Sequence, residues 1–242
     1  MIKKIIKEIY KKIIYGYKSS SESYIKYLKK RGILIGKDVT FYEPNTNYID
    51  TQKPWLIEIG NNVEITRGVV IITHDYAWSV IKQLNGKIVG SRGKVTIGNN
   101  VFIGINTVIL QGVTIGNNVI IGANTLVNKD IPDNAIVAGN PCKMISSVDQ
   151  YIVKREKKQI LEAKEMFLEY YKRYEKIPPK EVFDEFFWLF ETRKQKKLPK
   201  EYIEKIKLTG NKEKTEKMFL KDNPYFDGYS KFVEYCLEGK KM

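Results

Sequence analysis

The sequence predicts a parallel β-solenoid flanked by α-helices, and three observations predict it. Between residues 97 and 132 an aliphatic residue returns at every sixth position: Ile97, Ile103, Ile109, Ile115, Ile121 and Val127. Four places after each comes a β-branched residue: Val101, Thr107, Val113, Val119, Thr125 and Ile131. Gly98, Gly104, Gly116 and Gly122 follow the aliphatic residue, and Asn or Gly fills many of the next two places. Neither the helical period of 3.6 nor the strand period of 2 generates this pattern, so it is read as repeat architecture. Each six-residue unit supplies a short strand with one inward aliphatic side chain and one small inward residue. Asn and Gly accept the left-handed backbone that a sharp corner needs. Three units make one triangular turn, and turns stack at the strand spacing of roughly 4.8 Å.

The flanking elements follow in chain order. Residues 1 to 15 place Ile2, Ile5, Ile6, Ile9 and Ile13 on one helical face, with lysines opposite. Such a stripe fits two readings: a helix lying on an anionic membrane surface, or one packed on its own protein or a neighbouring subunit. The Ser19–Ser23 stretch offers an N-cap for a second helix, Glu22 to Arg31, which ends at Gly32. Degenerate hexads begin at Ile35 and continue through Phe41. Residues 47 to 56 break the register and read as a loop, and Ile59, Ile65 and Ile71 restore it. Residues 75 to 94 do not repeat. Because the spacing from Ile71 to Ile97 is not a multiple of six, they must leave the solenoid as a protruding loop.

After Val148 the composition changes. Residues 150 to 176 read as a long charged helix with an apolar face, stopped by Pro178-Pro179. Residues 181 to 194 read as an aromatic-rich second helix in which Phe183, Phe186, Phe187 and Phe190 form a packing face. Residues 199 to 220 read as helical in parts, and a turn and a closing helix follow from Asp222. The boundaries are therefore 1–32 for N-terminal helices, 33–148 for the solenoid and 149–242 for a helical C-terminal extension. The extension is a candidate for capping the solenoid, contacting an acceptor or mediating assembly.

Charge and cysteine usage bound the function. The net charge of +14 divides as +8 in residues 1–31, zero in 32–150 and +6 in 151–242, so the repeat region is neutral. No DNA- or RNA-binding module accompanies the excess, and lysine richness of the coding genome explains it without nucleic acid. No apolar run reaches membrane-spanning length. The N-terminus alternates Lys with Ile and lacks a cleavage site, which favours a cytoplasmic protein, at the inner face of the membrane if the first helix binds there. Cys142 and Cys236 have no metal or redox spacing; free thiols in a reducing compartment are expected, although one bridge between them is sterically open. No Asp/Glu/His cluster has metal-ligand spacing, so no metal is expected.

The run from Ile97 to Pro132 resembles the hexapeptide-repeat acyltransferases. KDIPDNAIVAGNPCKMI (Lys129 to Ile145) is similar to the closing signature of their xenobiotic and sugar O-acetyltransferase branch. The likeness covers roughly residues 20 to 148. The tail is more weakly similar to helical extensions of some polysaccharide-biosynthesis O-acetyltransferases. The resemblance implies a left-handed parallel β-helix, an exception to the usual right-handed crossover. It also implies acetyl-CoA as co-substrate and a homotrimer with active sites between neighbouring subunits.

The resemblance assigns roles by position. His74, the one histidine of the chain, stands in ITHDY at the root of the insertion, where the family carries a general base. An imidazole titrating near neutrality can take the proton of an alcohol as it attacks a thioester. A lone histidine is otherwise as easily a packing or surface residue. Asp75 is a candidate for orienting His74 or binding the acceptor. Trp78 is a candidate platform for a sugar ring or an anchor of the loop. Arg92, with Ser91 and Gly93, ends the insertion and faces acceptor or donor; Asp50 and Trp55 come from the turn that builds the sugar pocket in relatives. For the donor, Gly104, Ile105 and Ala123 supply backbone contacts, followed by Asn128, Lys129 near the phosphates, and Lys143. Asn128 stands where many relatives have Thr, and Ser146 where some have Arg, so phosphate gripping falls to Lys129 and Lys143. Cys142 is too far along the chain from His74 to serve as a nucleophile.

The expected reaction is O-acetylation of a sugar hydroxyl in a surface or capsular polysaccharide or its precursor. Two competitors stay open: the same fold with another acceptor (a nucleotide-amino-sugar amine, serine, an antibiotic), and a non-catalytic binding scaffold.

Overall fold

The computed structural model describes residues 2–193 and 199–238; the side chains of residues 2–5, 7, 8 and 201 lie outside that set. The chain forms two compact units, Met1–Tyr151 and Ile152–Met242.

The first unit opens with α1 (Ile2–Tyr15). Ile6, Ile9 and Ile13 on its apolar stripe are more than half exposed, and the side chains of Ile2 and Ile5 fall outside the described residues. Helix α2 (Ser21–Arg31) is capped by Ser20, whose hydroxyl accepts from the Ser23 amide while Ser23 bonds back. It ends at Gly32 with φ 109°. Tyr24 and Leu28 on this helix are buried in the core of the strands.

The repeats then deliver short strands in strict sequence: β1 (Leu34–Ile35), β2 (Thr40–Phe41), β3 (Tyr48–Ile49), β4 (Ile57–Ile59), β5 (Val63–Ile65) and β6 (Val70–Ile71). Helix α3 (Trp78–Asn85) interrupts them. The strands resume with β7 (Val95–Ile97), β8 (Val101–Ile103), β9 (Val108–Ile109), β10 (Thr114–Ile115), β11 (Val119–Ile121), β12 (Leu126–Val127), β13 (Ala135–Ala138) and β14 (Lys143–Ser147). They form three sheets: β1-β4-β7-β10, β2-β5-β8-β11-β13-β14 and β3-β6-β9-β12, called here A, B and C. Up to β12 the chain thus visits A, B and C in turn, and returns to each after three strands; β13 and β14 then both add to B. Every pairing is parallel except β13 with β14.

The register explains the hexad. Ile59, Ile97 and Ile115 are neighbours across sheet A, Ile65, Ile103 and Ile121 across B, and Ile71, Ile109 and Val127 across C. All are buried, as are the second inward set Val101, Thr107, Val113, Val119, Thr125 and Ile131. The corners are held by ladders of asparagine. Asn62, Asn100 and Asn118 have φ of 53–56°, and each amide bonds the one stacked on it at 2.8–2.9 Å, ending on Asn134. Glycine is obligatory beside them: a Cβ on Gly98 would lie 2.6 Å from the Gly116 carbonyl oxygen.

Two expectations need correction here. Residues 47–56 are not wholly a loop, because Tyr48–Ile49 pairs with β6. A 3₁₀ turn at Pro44–Thr46 delays the inward aliphatic residue to Ile49, two places late for the hexad. The insertion is not only a loop either, since it carries α3. An antiparallel bridge between His74 and Arg92 closes its neck, and the Gly93 amide donates to the Thr73 carbonyl.

The second unit continues α4 (Val148–Tyr174) past Tyr151 and adds α5 (Ile203–Lys207), α6 (Lys212–Lys221) and α7 (Tyr229–Leu237). Its core joins Phe167, Phe183, Phe187, Phe190, Tyr202, Phe219 and Phe232. The expected helix over 181–194 is instead two 3₁₀ turns, Lys180–Phe183 and Phe187–Leu189; residue 194 falls outside the described set. Phe183, Phe187 and Phe190 keep helical spacing, but Leu189, which lies off that face, is buried as well, which one stripe of a regular helix would not achieve.

Candidate active site

The site is built where chain leaves sheet C. Val69, Ile71 and Thr73 point inward by strand alternation, and Thr73 is fully buried. One circuit earlier, Asp50 follows Ile49 and its amide donates to the Ile71 carbonyl, stacking it below Thr73. His74 emerges at the same corner, and its Nδ1 lies 2.7 Å from Asp50 Oδ2.

Asp50 has no solvent exposure. Its Oδ2 also accepts from the Thr73 hydroxyl at 2.5 Å and the Thr73 amide at 3.2 Å, while Oδ1 accepts from the Gln52 amide at 2.9 Å. Burial alone would raise the carboxyl's pKa, but the bonds from Thr73, Gln52 and His74 outweigh it and hold the group below the ordinary carboxylate range. An ionised Asp50 fixes the proton of His74 on Nδ1, and Nε2 keeps its lone pair. The His74 side chain is 8% exposed, so the ring is held in place yet reachable.

This geometry corrects the roles read from sequence. Asp50, expected on the acceptor side, is buried with both oxygens engaged and has nothing left to offer a sugar. It, and not Asp75, orients His74. Asp75 accepts from the Ala77 amide at 2.9 Å and from Gln111 Nε2 at 2.8 Å. Its carboxyl is held below its usual range chiefly by the Ala77 amide and Ser91, with burial opposing.

A rim of polar and aromatic groups surrounds His74. The Tyr76 ring meets the imidazole edge-on at 5.1 Å between centroids, and Trp78 meets Tyr76 at 6.0 Å. Gln52 donates to the Tyr76 hydroxyl at 3.2 Å and accepts from Arg92 Nη2 at 3.4 Å. Arg92 and Trp78 thus connect to the surroundings of the histidine through Gln52 and Tyr76. Trp55 is 64% exposed, with Lys53 over its ring, and has no recorded contact with this cluster. Thr73, Gln52, Tyr76 and Gln111 escaped the sequence reading. For Thr73 the inward alternation was a usable signal, whereas the other three had none.

The donor candidates divide: Asn128 and Lys129 follow β12 on the His74 side of sheet C, whereas Gly104, Ile105, Ala123 and Lys143 lie at a different corner, between sheets B and C. Gly104, Gly122 and Ala138 stack there: a Cβ on Gly104 would lie 2.6 Å from the Ala123 nitrogen, and one on Gly122 would lie 2.9 Å from Ala138 Cβ. Ile105 and Ala123 are exposed beside them, and the Ile105 carbonyl accepts from the Asn124 amide. The result is a shallow corner floored by backbone. Asn128, Lys129 and Lys143 are exposed; Cys142, next to Lys143, bonds the Leu126 carbonyl and points its thiol at Asn128 Oδ1. Cys142 and Cys236 are both buried and free, and burial pushes the Cys236 thiol up to about 12. Within one chain, sheet C separates His74 from Gly104 and Ala123. The span from Ile105 to the level of His74 is on the order of 15–20 Å of extended strand.

Among the described residues no group of three or more His, Cys, Asp or Glu is placed to hold a metal. No described helix is long and apolar enough to cross a membrane.

Comparison with known proteins identifies the repeats. Residues 94–129 match the family described as bacterial transferase hexapeptide (six repeats). The chain is 47% identical over 127 residues to Protein CapG of Staphylococcus aureus, covering 52% of this chain and 73% of CapG. It is 34% identical over 95 residues to the galactoside O-acetyltransferase of Escherichia coli, covering 39% of this chain and 46% of that protein. A solved maltose O-acetyltransferase from Clostridium difficile shares 27% identity over 59% of this chain and 87% of its own, with a TM-score of 0.41. Apart from CapG, the chain spans about half the length of the first curated relatives it matches. With nearly three quarters of CapG matched at that identity, the chain belongs to the hexapeptide-repeat acyltransferases.

Proposed function

We propose that the chain is an acetyl-CoA-dependent O-acetyltransferase acting on a sugar hydroxyl, in a surface or capsular polysaccharide or its precursor. The observation that carries it is the pair His74–Asp50 at the neck of the insertion. A buried, ionised Asp50 leaves His74 Nε2 as a base, which is what an alcohol acceptor needs and a pure binding scaffold does not. Similarity to a galactoside O-acetyltransferase supports a saccharide acceptor. The Tyr76, Trp78, Gln52 and Arg92 rim offers aromatic surface and hydrogen-bonding groups suited to a sugar ring.

In the reaction, Nε2 takes the hydroxyl proton as the sugar oxygen bonds to the acetyl carbonyl carbon. The tetrahedral oxyanion is stabilised by a backbone amide. It collapses with rupture of the C–S bond, and the imidazolium returns its proton to the departing thiolate. The donor arm runs along the Gly104–Ile105–Ala123 corner, with Lys129 and Lys143 beside the phosphates.

The three sheets are read as one left-handed parallel β-helix, working as a homotrimer. Two features support assembly. The donor corner and His74 are separated by sheet C within one chain, so a second copy is needed to bring them together. Apolar side chains also sit unpartnered on the insertion, where Val80, Leu84, Ile88 and Val89 are each more than half exposed. A sedimentation mass of one chain would refute the trimer.

The test is free-CoA release against a panel of glycan acceptors, for wild type and His74→Ala. Loss of the base should lower kcat by about 10²- to 10⁴-fold with acetyl-CoA affinity nearly intact. Equal rates in the two proteins would remove His74 from the chemistry.

A further inference from the structure

The second unit carries a cleft that the acetyl-transfer reading does not use. It has a volume of about 610 Å³ and is lined from one side by Glu156, Gln159 and Ile160 of α4. The other side is Trp188 from a 3₁₀ turn, with Asp222, Asn223 and Tyr225 from the turn after α6. All of these residues lie within the unit Ile152–Met242. The volume is inside the range of about 300–1,000 Å³ typical of small-ligand sites.

The lining chemistry narrows the ligand. Trp188 is half-buried, and its indole N–H donates to Asp222 Oδ2 at 2.6 Å. The ring is further held edge-on to Phe219 and under the Arg193 guanidinium. An aromatic side chain fixed at its polar end by a carboxylate is a rigid platform, not a flexible filler. Tyr225 on the same wall is 66% exposed and stacked edge-on to Phe226. Around these rings the cleft offers carboxylates, amides and, at Lys157, one ammonium. Mixed charge with no cationic majority disfavours phosphates and nucleotides. An open cleft with two aromatic surfaces and several neutral or paired hydrogen-bonding groups suits a ring that is polar at its edge and apolar on its face.

We infer that this cleft binds a segment of saccharide chain, and that it holds a polymeric acceptor away from the reacting hydroxyl. The inference rests on the saccharide-acceptor reading above, but it predicts binding and not turnover. A remote subsite would raise the local concentration of acceptor chain without touching the chemistry.

The experiment is retention of full-length protein on an array of bacterial capsular and cell-wall oligosaccharides. The proteins compared are His74→Ala, the same protein with Tyr225→Ala, and the same with Asn223→Ala. Free-CoA release on a monosaccharide acceptor is measured in parallel with His74 intact. His74→Ala should retain at least one oligosaccharide, and each cleft variant should weaken that retention tenfold or more. CoA release on the monosaccharide should stay within about twofold. Because Trp188 packs on Phe219, Trp188→Phe serves as the milder probe of the platform, and far-ultraviolet circular dichroism checks folding. A silent array for the His74→Ala protein, or retention undiminished in both Tyr225→Ala and Asn223→Ala, would overturn the cleft as a saccharide site. Absence of CoA release with every acceptor while retention persists would instead overturn the transferase reading and leave the cleft standing.

Discussion

Replacing Asp50 by Asn tests the site at its least visible member. The side chain is isosteric, so packing is unchanged and the effect falls on hydrogen bonding. Asp50 accepts four hydrogen bonds, from the Gln52 amide, the Thr73 amide, the Thr73 hydroxyl and His74 Nδ1. An Asn whose amide nitrogen replaces Oδ2 would oppose three donors. Turned the other way, it would set one N–H against the Gln52 amide and keep the other three partners without a negative charge. The second arrangement costs less: the Gln52 amide and the new side-chain N–H face each other without an acceptor, about 1–3 kcal/mol for each buried donor, plus the weakening of a charge-assisted bond to His74. Unfolding temperature should fall by several degrees, at roughly 2–4 °C per kcal/mol for a chain of this size. The catalytic loss is larger, because the neutral amide oxygen that still accepts from Nδ1 holds the ring more weakly than a carboxylate does. The imidazolium formed in the reaction loses its counter-charge. We expect kcat to fall about 10²- to 10⁴-fold with the KM for acetyl-CoA within threefold, measured by CoA release. The pH behaviour has a defined sign. A carboxyl held below its ordinary value stabilises the fold fully above that value, and the contribution is lost as pH falls through the lowered one. The wild-type advantage over Asp50→Asn should therefore shrink in acid, below about pH 4. A kcat within threefold of wild type, with acid and neutral stability differences equal, would refute the role given to Asp50.

Two further outcomes follow from the strands. Glu64 in β5 is 8% exposed, and burial raises its carboxyl above the ordinary 4.5, outweighing the opposing hydroxyls of Tyr42 and Thr40. A raised acid penalises the fold as pH climbs from 4.5 through the folded value, so Glu64→Gln should unfold at a higher temperature than wild type at pH 7 and equally at pH 4. A less stable variant at pH 7 would show that assembly gives the carboxylate a partner. In sheet A's corner, Gly98→Ala would press a methyl within 2.6 Å of the Gly116 carbonyl. It should cost about 1–3 kcal/mol by thermal melting, and an unchanged melt would mean that the corner opens freely.

The three-sheet core was legible because its cause is local and repeated. An inward aliphatic residue every six places, with Asn and Gly at the corners, demands the same short strand each time. The register of Ile97 on Ile115, 18 residues on, follows from the spacing alone. Legibility failed where one local event shifted the phase. The 3₁₀ turn at Pro44 displaces Ile49 by two residues, and a strand was mistaken for a loop. It failed again around Phe187, where helical spacing of the aromatics was real but the core they enter surrounds them. Leu189, off the face of Phe183, Phe187 and Phe190, is buried with them, which a single helical stripe does not allow.

The site was half legible for a different reason. His74 announces itself by being single and by standing at the root of an insertion, which the sequence marks through a break in periodicity. Its partner does not. Asp50 lies one circuit earlier, and only stacking of successive circuits in sheet C brings it beneath Thr73 and beside His74. Asp75, adjacent in sequence, was the nearer guess, and it lost because its carboxyl turns back to the Ala77 amide and across to Gln111. In a repeat protein the chain neighbour of a functional residue is a weak candidate, and the residue one circuit away is a strong one. The same rule sets what a single chain can hold. His74 and the Gly104–Ala123 corner stand at opposite edges of sheet C, and no rotamer of either bridges a sheet. In the proposed trimer, joining base to donor falls to contact between copies. The exposed apolar residues of the insertion, Val80, Leu84, Ile88 and Val89, lie on a segment that leaves the strands between β6 and β7, where such a contact would be made.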